Sequence, residues 1–496
     1  MSRSTAWVGL ASLLAAGPIS TPLRAQGGPD PEAAVVKVFV TSSPWDPFTP
    51  WQRVGTETST GSATVLSGNR ILTNAHVVED AVSLEVKAGQ PGSRYAARVS
   101  FVDAQADLAL LDVEDPSFFA SVRPLTLGET PPVQTAVQAY GFPVGGDTVS
   151  VTSGIISRIE IGNYAHSMEA LMMAQIDAAL NPGNSGGPVV AGGKLVGVAL
   201  QILDQAENVG YMIPSSVIQH FLDDVKDGNV DGFPDLGVVT QGLENTALRQ
   251  SLGMKEPQSG ALVNWVDSGA PADGVLQPRD VLLEVDGRTV SNDMSIDWRG
   301  VGRAHFSQAC RSRQVGDRLT MKFLRRGLVV DGAMTLDRHD ALVPGWRRTA
   351  APQYLVFGGL VFQPLTVSYL LYLEEVPYDL GDYATLRNRV TRERSQLILL
   401  QKVLPHPVNR GYQGVEDQVV EKVNGTVPHD MAHLATLLDG AQGQFVEIET
   451  GERSLVTVSV REARAAQQAI LTSYGLHDDR SPDLRPQSQG EARPDR

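Results

Sequence analysis

The chain has 496 residues, 42% of them hydrophobic and 20% charged, with a formal net charge of −15. That composition is ordinary for a soluble globular protein, and the length is too great for one core, so about three domains are expected. The acidic excess argues against a nucleic-acid surface, and a single cysteine, Cys310, leaves no disulfide framework or cysteine zinc site within the chain.

In chain order, Arg3, the mainly apolar residues 6–20 and the small Ala25 read as an export signal over residues 1–25. A retained anchor or a disordered leader is the alternative. Gly17 and Pro18 interrupt the run, which is too short to span a membrane comfortably, and no later segment is long enough. Export with almost no cysteine fits a bacterial periplasmic or secreted protein. Residues 33–226 alternate short β-rich runs (34–40, 61–66, 108–113, 194–200) with Gly-rich turns, which suggests a barrel or a sandwich. A helix is predicted over 214–225, with Pro214 in its first turn and Val217, Ile218, Phe221 and Leu222 on its apolar face.

Residues 227–235 are rich in turn formers and read as a linker. A weak repeat follows. Asp280-Val-Leu-Leu-Glu-Val-Asp-Gly287 matches Asp417-Gln-Val-Val-Glu-Lys-Val-Asn-Gly425, which predicts two related domains at 236–340 and 350–462. The second carries extra residues between 369 and 394 with no assigned role. The polar residues 478–496 are expected to be a disordered tail.

Chemistry concentrates in three segments. Asn181-Pro-Gly-Asn-Ser-Gly-Gly-Pro188 sets Ser185 among glycines; Leu72-Thr-Asn-Ala-His76 and Asp107-Leu-Ala-Leu-Leu111 lie upstream. A serine hydroxyl needs a base within hydrogen-bond reach, and the base needs an orienting acid. His76 can be that base and Asp107 can fix its tautomer, with Ser185 as nucleophile. Asp103 and Asp112 compete for the acid's role; strand alternation would put Asp107, Ala109 and Leu111 on one face and Asp112 on the other. The glycines would let the N–H groups of Gly183 and Ser185 converge on an oxyanion.

These segments resemble the HtrA/Deg serine proteases. Tyr140-Gly-Phe-Pro-Val-Gly-Gly146, Gln175-Ile-Asp-Ala-Ala179 and Glu207-Asn-Val-Gly-Tyr-Met-Ile-Pro214 extend the resemblance. Trp51-Gln-Arg53, Asn181-Pro-Gly183, residues 204–208 and Phe357-Gly-Gly-Leu-Val-Phe362 resemble the plant-type Deg subgroup. The resemblance implies a mainly β chain: a chymotrypsin-like double β-barrel protease domain followed by two PDZ-like α+β domains. It implies a strand from Val196 to Ile202 lining the specificity pocket through Val198, Ala199 and Leu200; with no Asp there, cleavage after small or medium aliphatic residues is expected. It implies a carboxylate-binding loop at Leu236, Gly237 and Val238 with a helix over 303–310 as the groove's other wall, and the equivalent loop at 358–362 in the diverged second copy. It also implies switchable loops at 141–147, 159–171 and 201–208, and assembly into trimers or multiples of them.

The expected activity is an ATP-independent endopeptidase acting on unfolded or misfolded proteins and peptides in the cell envelope. A chaperone with an idle triad and an esterase on the same fold are the alternatives. No cofactor is expected: no phosphate-cradling loop is present, the nine histidines are scattered, and His429 and His433 lack the Glu of a zinc-protease motif.

Overall fold

The structure, a computed structural model, describes residues 30–88, 92–200, 210–298, 302–345 and 351–485. Its first unit is a pair of closed six-stranded antiparallel barrels. The first contains β1 (Val35–Ser42), β2 (Glu57–Leu66), β3 (Arg70–Thr73), β4 (Ala81–Ala88), β5 (Tyr95–Asp103) and β6 (Leu108–Val113) in the order β1-β2-β3-β6-β5-β4. The second contains β7 (Ala136–Gly141), β8 (Ser150–Asn163), β9 (Ala170–Ile176), β10 (Pro188–Ala191), β11 (Lys194–Leu200) and β12 (Gly210–Pro214) in the order β10-β11-β12-β9-β8-β7.

Strand alternation builds three cores from these barrels. Along β6, Ala109 and Leu111 fill the first barrel with Val36, Val38 and Ile71. Leu108 and Leu110 point the other way, into a seam shared with Leu72, Tyr140, Phe142, Val198 and Leu200. Ala199, with Val137, Ile156 and Met212, belongs to the interior of the second barrel. The seam is therefore a packed core with both barrels as walls, and the turns at its rim are held by it. Helix α1 (Ser215–Asp224) closes the unit as predicted and buries Val217, Ile218 and Phe221 on the seam.

The next unit is a mixed fold whose main sheet runs from Val238–Gly242 to Leu328–Thr335. The helix expected over 303–310 forms only at its end, as Gln308–Arg311; its start belongs to a strand, Gly302–His305, paired with Ser295–Trp298. Alternation explains it: Ile296, Trp298, Ala304 and Phe306 are buried together, and a period of two outcompeted the helical reading.

The last unit is a six-stranded sheet from Leu355–Phe357 to Leu455–Ser459, followed by the helix Val460–Ser473. The repeat is visible in both units: Asp286-Gly287 and Asn424-Gly425 each turn a hairpin with two left-handed residues, the type that matches strand twist. The extra residues form two short helices, Val367–Leu370 and Tyr378–Thr385, over a core of Leu365, Leu380, Val390 and Leu397. The expected tail does not begin at Asp478. Asp479 O accepts from Val356 N–H at 2.6 Å, Ser481 N–H donates to Tyr354 O at 3.0 Å, and Leu484 joins the core. The edge strand Leu355–Phe357 would otherwise leave its backbone unpaired, which is why this polar stretch is ordered. The expected signal lies outside the described residues, as do residues 486–496. Among the described residues no helix is long and apolar enough to cross a membrane.

Candidate active site

Three turns meet at the rim of the seam. The first follows β3 and carries His76. The second precedes β6 and carries Asp107, whose φ of 53° is left-handed. Asp107 is thus a turn residue, outside the strand alternation expected to orient it. An Asp tolerates that conformation because its short polar side chain bonds locally. Its carboxylate is 1% exposed and grips His76 twice: Oδ1 accepts the His76 backbone N–H at 2.9 Å, and Oδ2 lies 2.7 Å from Nδ1. Asn74 donates to the Asp107 carbonyl at 2.9 Å. Neither competitor takes this place. Asp103 accepts the N–H groups of Gln105 and Ala106, capping the same turn, and Asp112 pairs with Arg98 at the surface.

The third turn carries Ser185. Asn184 N–H donates to Asn181 O at 3.0 Å, and Gly187 N–H to Asn184 O at 2.9 Å. Gly183 and Gly186 have φ of 97° and 84°. A Cβ on Gly186 would collide with Ser62 O and Thr73 Oγ1, so the turn is pressed onto the middle of β2 and the end of β3, beside Asn74, two residues before His76. Ser185 O accepts Ser62 N–H at 3.0 Å. Among the described residues the backbone N–H groups of Gly183 and Ser185 meet no acceptor, and Ser185 Oγ has no hydrogen-bond partner. Two unengaged amides beside one hydroxyl are what an oxyanion site requires. In unliganded sites the bond from nucleophile to base is commonly long and closes with substrate bound.

Comparison with known proteins gives the family. The trypsin-like peptidase domain family matches residues 61–198, and the PDZ domain family matches residues 343–483. Protease Do-like 2, chloroplastic, from Arabidopsis thaliana is 38% identical over 457 residues, 91% of this chain and 75% of that protein. Protease Do-like 4, mitochondrial, from the same plant is 33% identical over 444 residues, 89% of this chain and 84% of that protein. The chain belongs to the HtrA/Deg family of serine proteases. It is a serine endopeptidase.

In this HtrA/Deg protease the His76 imidazole balances opposed effects. Burial lowers its pKa, but the charge and hydrogen bond of Asp107 and the charge of Glu79 outweigh burial, so it lies above its ordinary value. Ser62, on β2, was not signalled by the sequence. Its hydroxyl donates to Gly183 O at 2.7 Å and accepts Phe142 N–H at 2.8 Å. That fixes the orientation of the Gly183 peptide in the nucleophile turn. His166 was also missed, although it lies within the loop expected at 159–171. Its ring stacks on His76, with centroids 4.0 Å apart and planes 12° from parallel. His76, Asp107 and His166 bring one ligand atom each within 4.8 Å of one another. Near-parallel rings keep their in-plane lone pairs side by side, whereas zinc needs them to converge at about 2.0–2.1 Å, so the trio as folded is a poor metal site.

Two sequence expectations need correction. Val198 and Leu200 face the seam core and Ala199 the barrel interior, so the three side chains do not share one pocket wall. What Ala199 contributes is backbone: its O accepts Gly186 N–H at 3.2 Å and its N–H donates to Gly187 O at 2.9 Å. Gln201, Ile202 and the loop at 201–208 lie outside the described residues. At Leu236, Gly237 and Val238 the loop is closed on itself. Gly237 N–H donates to Asp235 Oδ1 at 2.8 Å, and Leu236 O accepts Ala272 N–H at 3.2 Å. A ligand carboxylate there would have to displace the Asp235 carboxylate from the Gly237 amide. Cys310 is buried, its Sγ 3.5 Å from Pro234 O, and burial pushes its thiol pKa far up, so it is no nucleophile at neutral pH. His433 accepts the His429 N–H and its own N–H is capped by Asp430, a helix-start role.

Proposed function

We propose that Ser185 attacks the scissile carbonyl, His76 takes its proton and returns it to the leaving amine, and Asp107 holds the His76 tautomer and stabilises the imidazolium. The N–H groups of Gly183 and Ser185 receive the oxyanion. The observation that carries this reading is the pairing of a formed His76–Asp107 couple with a glycine-shaped turn whose two amides have no acceptor of their own among the described residues. The substrates are extended, unfolded polypeptides, because a cleft between barrels and a PDZ groove both bind strands. Cleavage after small or medium aliphatic residues is the preference that the family resemblance implies, and both later units are read as PDZ-like peptide or assembly domains. Export to a bacterial envelope rests on the N-terminal apolar run; the relatives carry mitochondrial and chloroplastic names. Assembly as a trimer or its multiple follows from family membership.

A cleavage-site map on unfolded casein, beside Ser185→Ala, tests this reading. Aliphatic sites lost in the variant are expected. Cleavage that persists in Ser185→Ala would place the nucleophile elsewhere and overturn it, and no cleavage by the folded wild type would overturn it in favour of an idle triad.

A further inference from the structure

His166 sits at the tip of the β8–β9 hairpin, and that hairpin is tied to the turn that supplies Asp107. Tyr164 is fully buried and donates through its hydroxyl to Met172 O at 2.5 Å. Tyr164 N–H donates to Glu169 O at 2.9 Å, and Met168 N–H to Tyr164 O at 2.8 Å, which closes the tip. Ser167 Oγ donates to Gln105 O at 2.9 Å, two residues before Asp107. Glu169 is fixed in turn by Arg311 at 2.7 Å. The tip is thus braced on the Asp107 turn, and the one ring it presents lies flat on His76.

We propose that His166 is a positioning residue for the base: its ring clamps His76 in the plane that joins Asp107 to Ser185, and it supports turnover only while uncharged. The inference rests on reading His76 as that base. Flat stacking blocks rotation of the His76 imidazole about its Cβ–Cγ bond while leaving the edge of the ring uncovered, where Nδ1 meets Asp107. Attack by Ser185 makes His76 an imidazolium. A neutral ring on its face accommodates that charge; a second imidazolium 4.0 Å away opposes it. Among the described residues, the charged and titratable groups near the pair include Asp107 and Asp103 from the turn before β6, Glu79 beyond His76, and Tyr164 and Glu169 on the hairpin itself, Glu169 being engaged by Arg311.

Steady-state kinetics of the full-length protein on a fluorescent casein-derived peptide, from acid to mildly alkaline pH, test this. His166→Ala should lower kcat about tenfold at alkaline pH with KM unchanged, as expected when a reacting group is merely misplaced. His166→Phe, which keeps a flat ring, should recover most of that loss. In the wild type the acid limb of kcat/KM should fall more steeply than the first power of proton concentration, and in His166→Phe as the first power. Should His166→Ala be unable to fold, as judged by circular dichroism, His166→Phe alone carries the comparison of acid limbs. Variants matching the wild type in both kcat and acid limb would overturn the proposal. A fluorophosphonate label on Ser185 separates the two failures. Labelled, active wild type with indifferent His166 variants sinks this inference alone; an unlabelled, folded wild type sinks the reading of His76 beneath it.

Discussion

Asp107 reaches His76 only because its own backbone is left-handed, so the substitution that tests its role must tolerate that conformation. Asn does. Asp107→Asn should fold normally yet lose about 10⁴-fold in kcat, because an amide donor facing Nδ1 imposes the wrong tautomer; kinetics with a circular dichroism control would show it. Ser62→Ala frees the Gly183 carbonyl and should lower kcat by about tenfold or more at nearly constant KM, a share of what one oxyanion donor is worth. Asp103 offers a test by pH. It is 2% exposed, with Oδ2 unpaired among the described residues, and burial pushes its pKa up to about 6 despite the two backbone N–H donors. The folded state therefore binds this proton more tightly than the unfolded chain. The stability tied to the protonated form is present at acid pH and lost as pH rises through about 6. Asp103→Asn removes that ionisation. Its melting temperature relative to wild type should be more favourable at about pH 8 than at about pH 4.5; an equal difference at both would contradict the argument.

At the level of elements, the braces between units can be cut one at a time. Arg311, on the short helix Gln308–Arg311, donates to Glu169 at 2.7 Å and to Asp235 at 3.0 Å, so it joins the β8–β9 hairpin to the segment entering the second unit. Its side chain is 15% exposed, sheltered enough for the bonds to matter. Arg311→Met should weaken this contact by roughly 1.5–3 kcal/mol per charged hydrogen bond lost and speed limited proteolysis within residues 227–235. The same contrast explains what the sequence disclosed. The nucleophile turn was legible because glycine and serine chemistry is local to eight residues. Helix α1 was legible because its apolar period matched its burial. The short strand Gly302–His305 was not, since Phe306, Ala309 and Cys310 recur at helical spacing while Ala304 and Phe306 recur at strand spacing, and Ile296 and Trp298 across the hairpin decide between them.

Across the whole molecule the last unit leans on the first. Trp51 packs edge-on against Tyr354, with centroids 5.7 Å apart, and under Lys402 Nζ at 5.5 Å; Phe48 meets Tyr369, and Gln363 donates to Pro47 O at 3.1 Å. Trp51→Ala should cost about 3–5 kcal/mol of this docking and split thermal unfolding into separate transitions in calorimetry. A single transition at the wild-type temperature would show the contact to be idle. The order of the three units was readable from motif order and repeat; the strand runs alone gave a barrel or a sandwich, and the double barrel came with the resemblance to the HtrA/Deg proteases. Contacts between residues remote in sequence, such as Trp51 with Tyr354, Ser62 with Gly183 and His166 with His76, carry no local signature, and they are what the fold adds. The central claim is that one hydroxyl is activated where the seam brings these turns together. Mass-spectrometric mapping of a fluorophosphonate adduct tests it most directly. The adduct should form on Ser185 and vanish in His76→Ala; an adduct on any other serine, or none on folded protein that still cleaves casein, would contradict it.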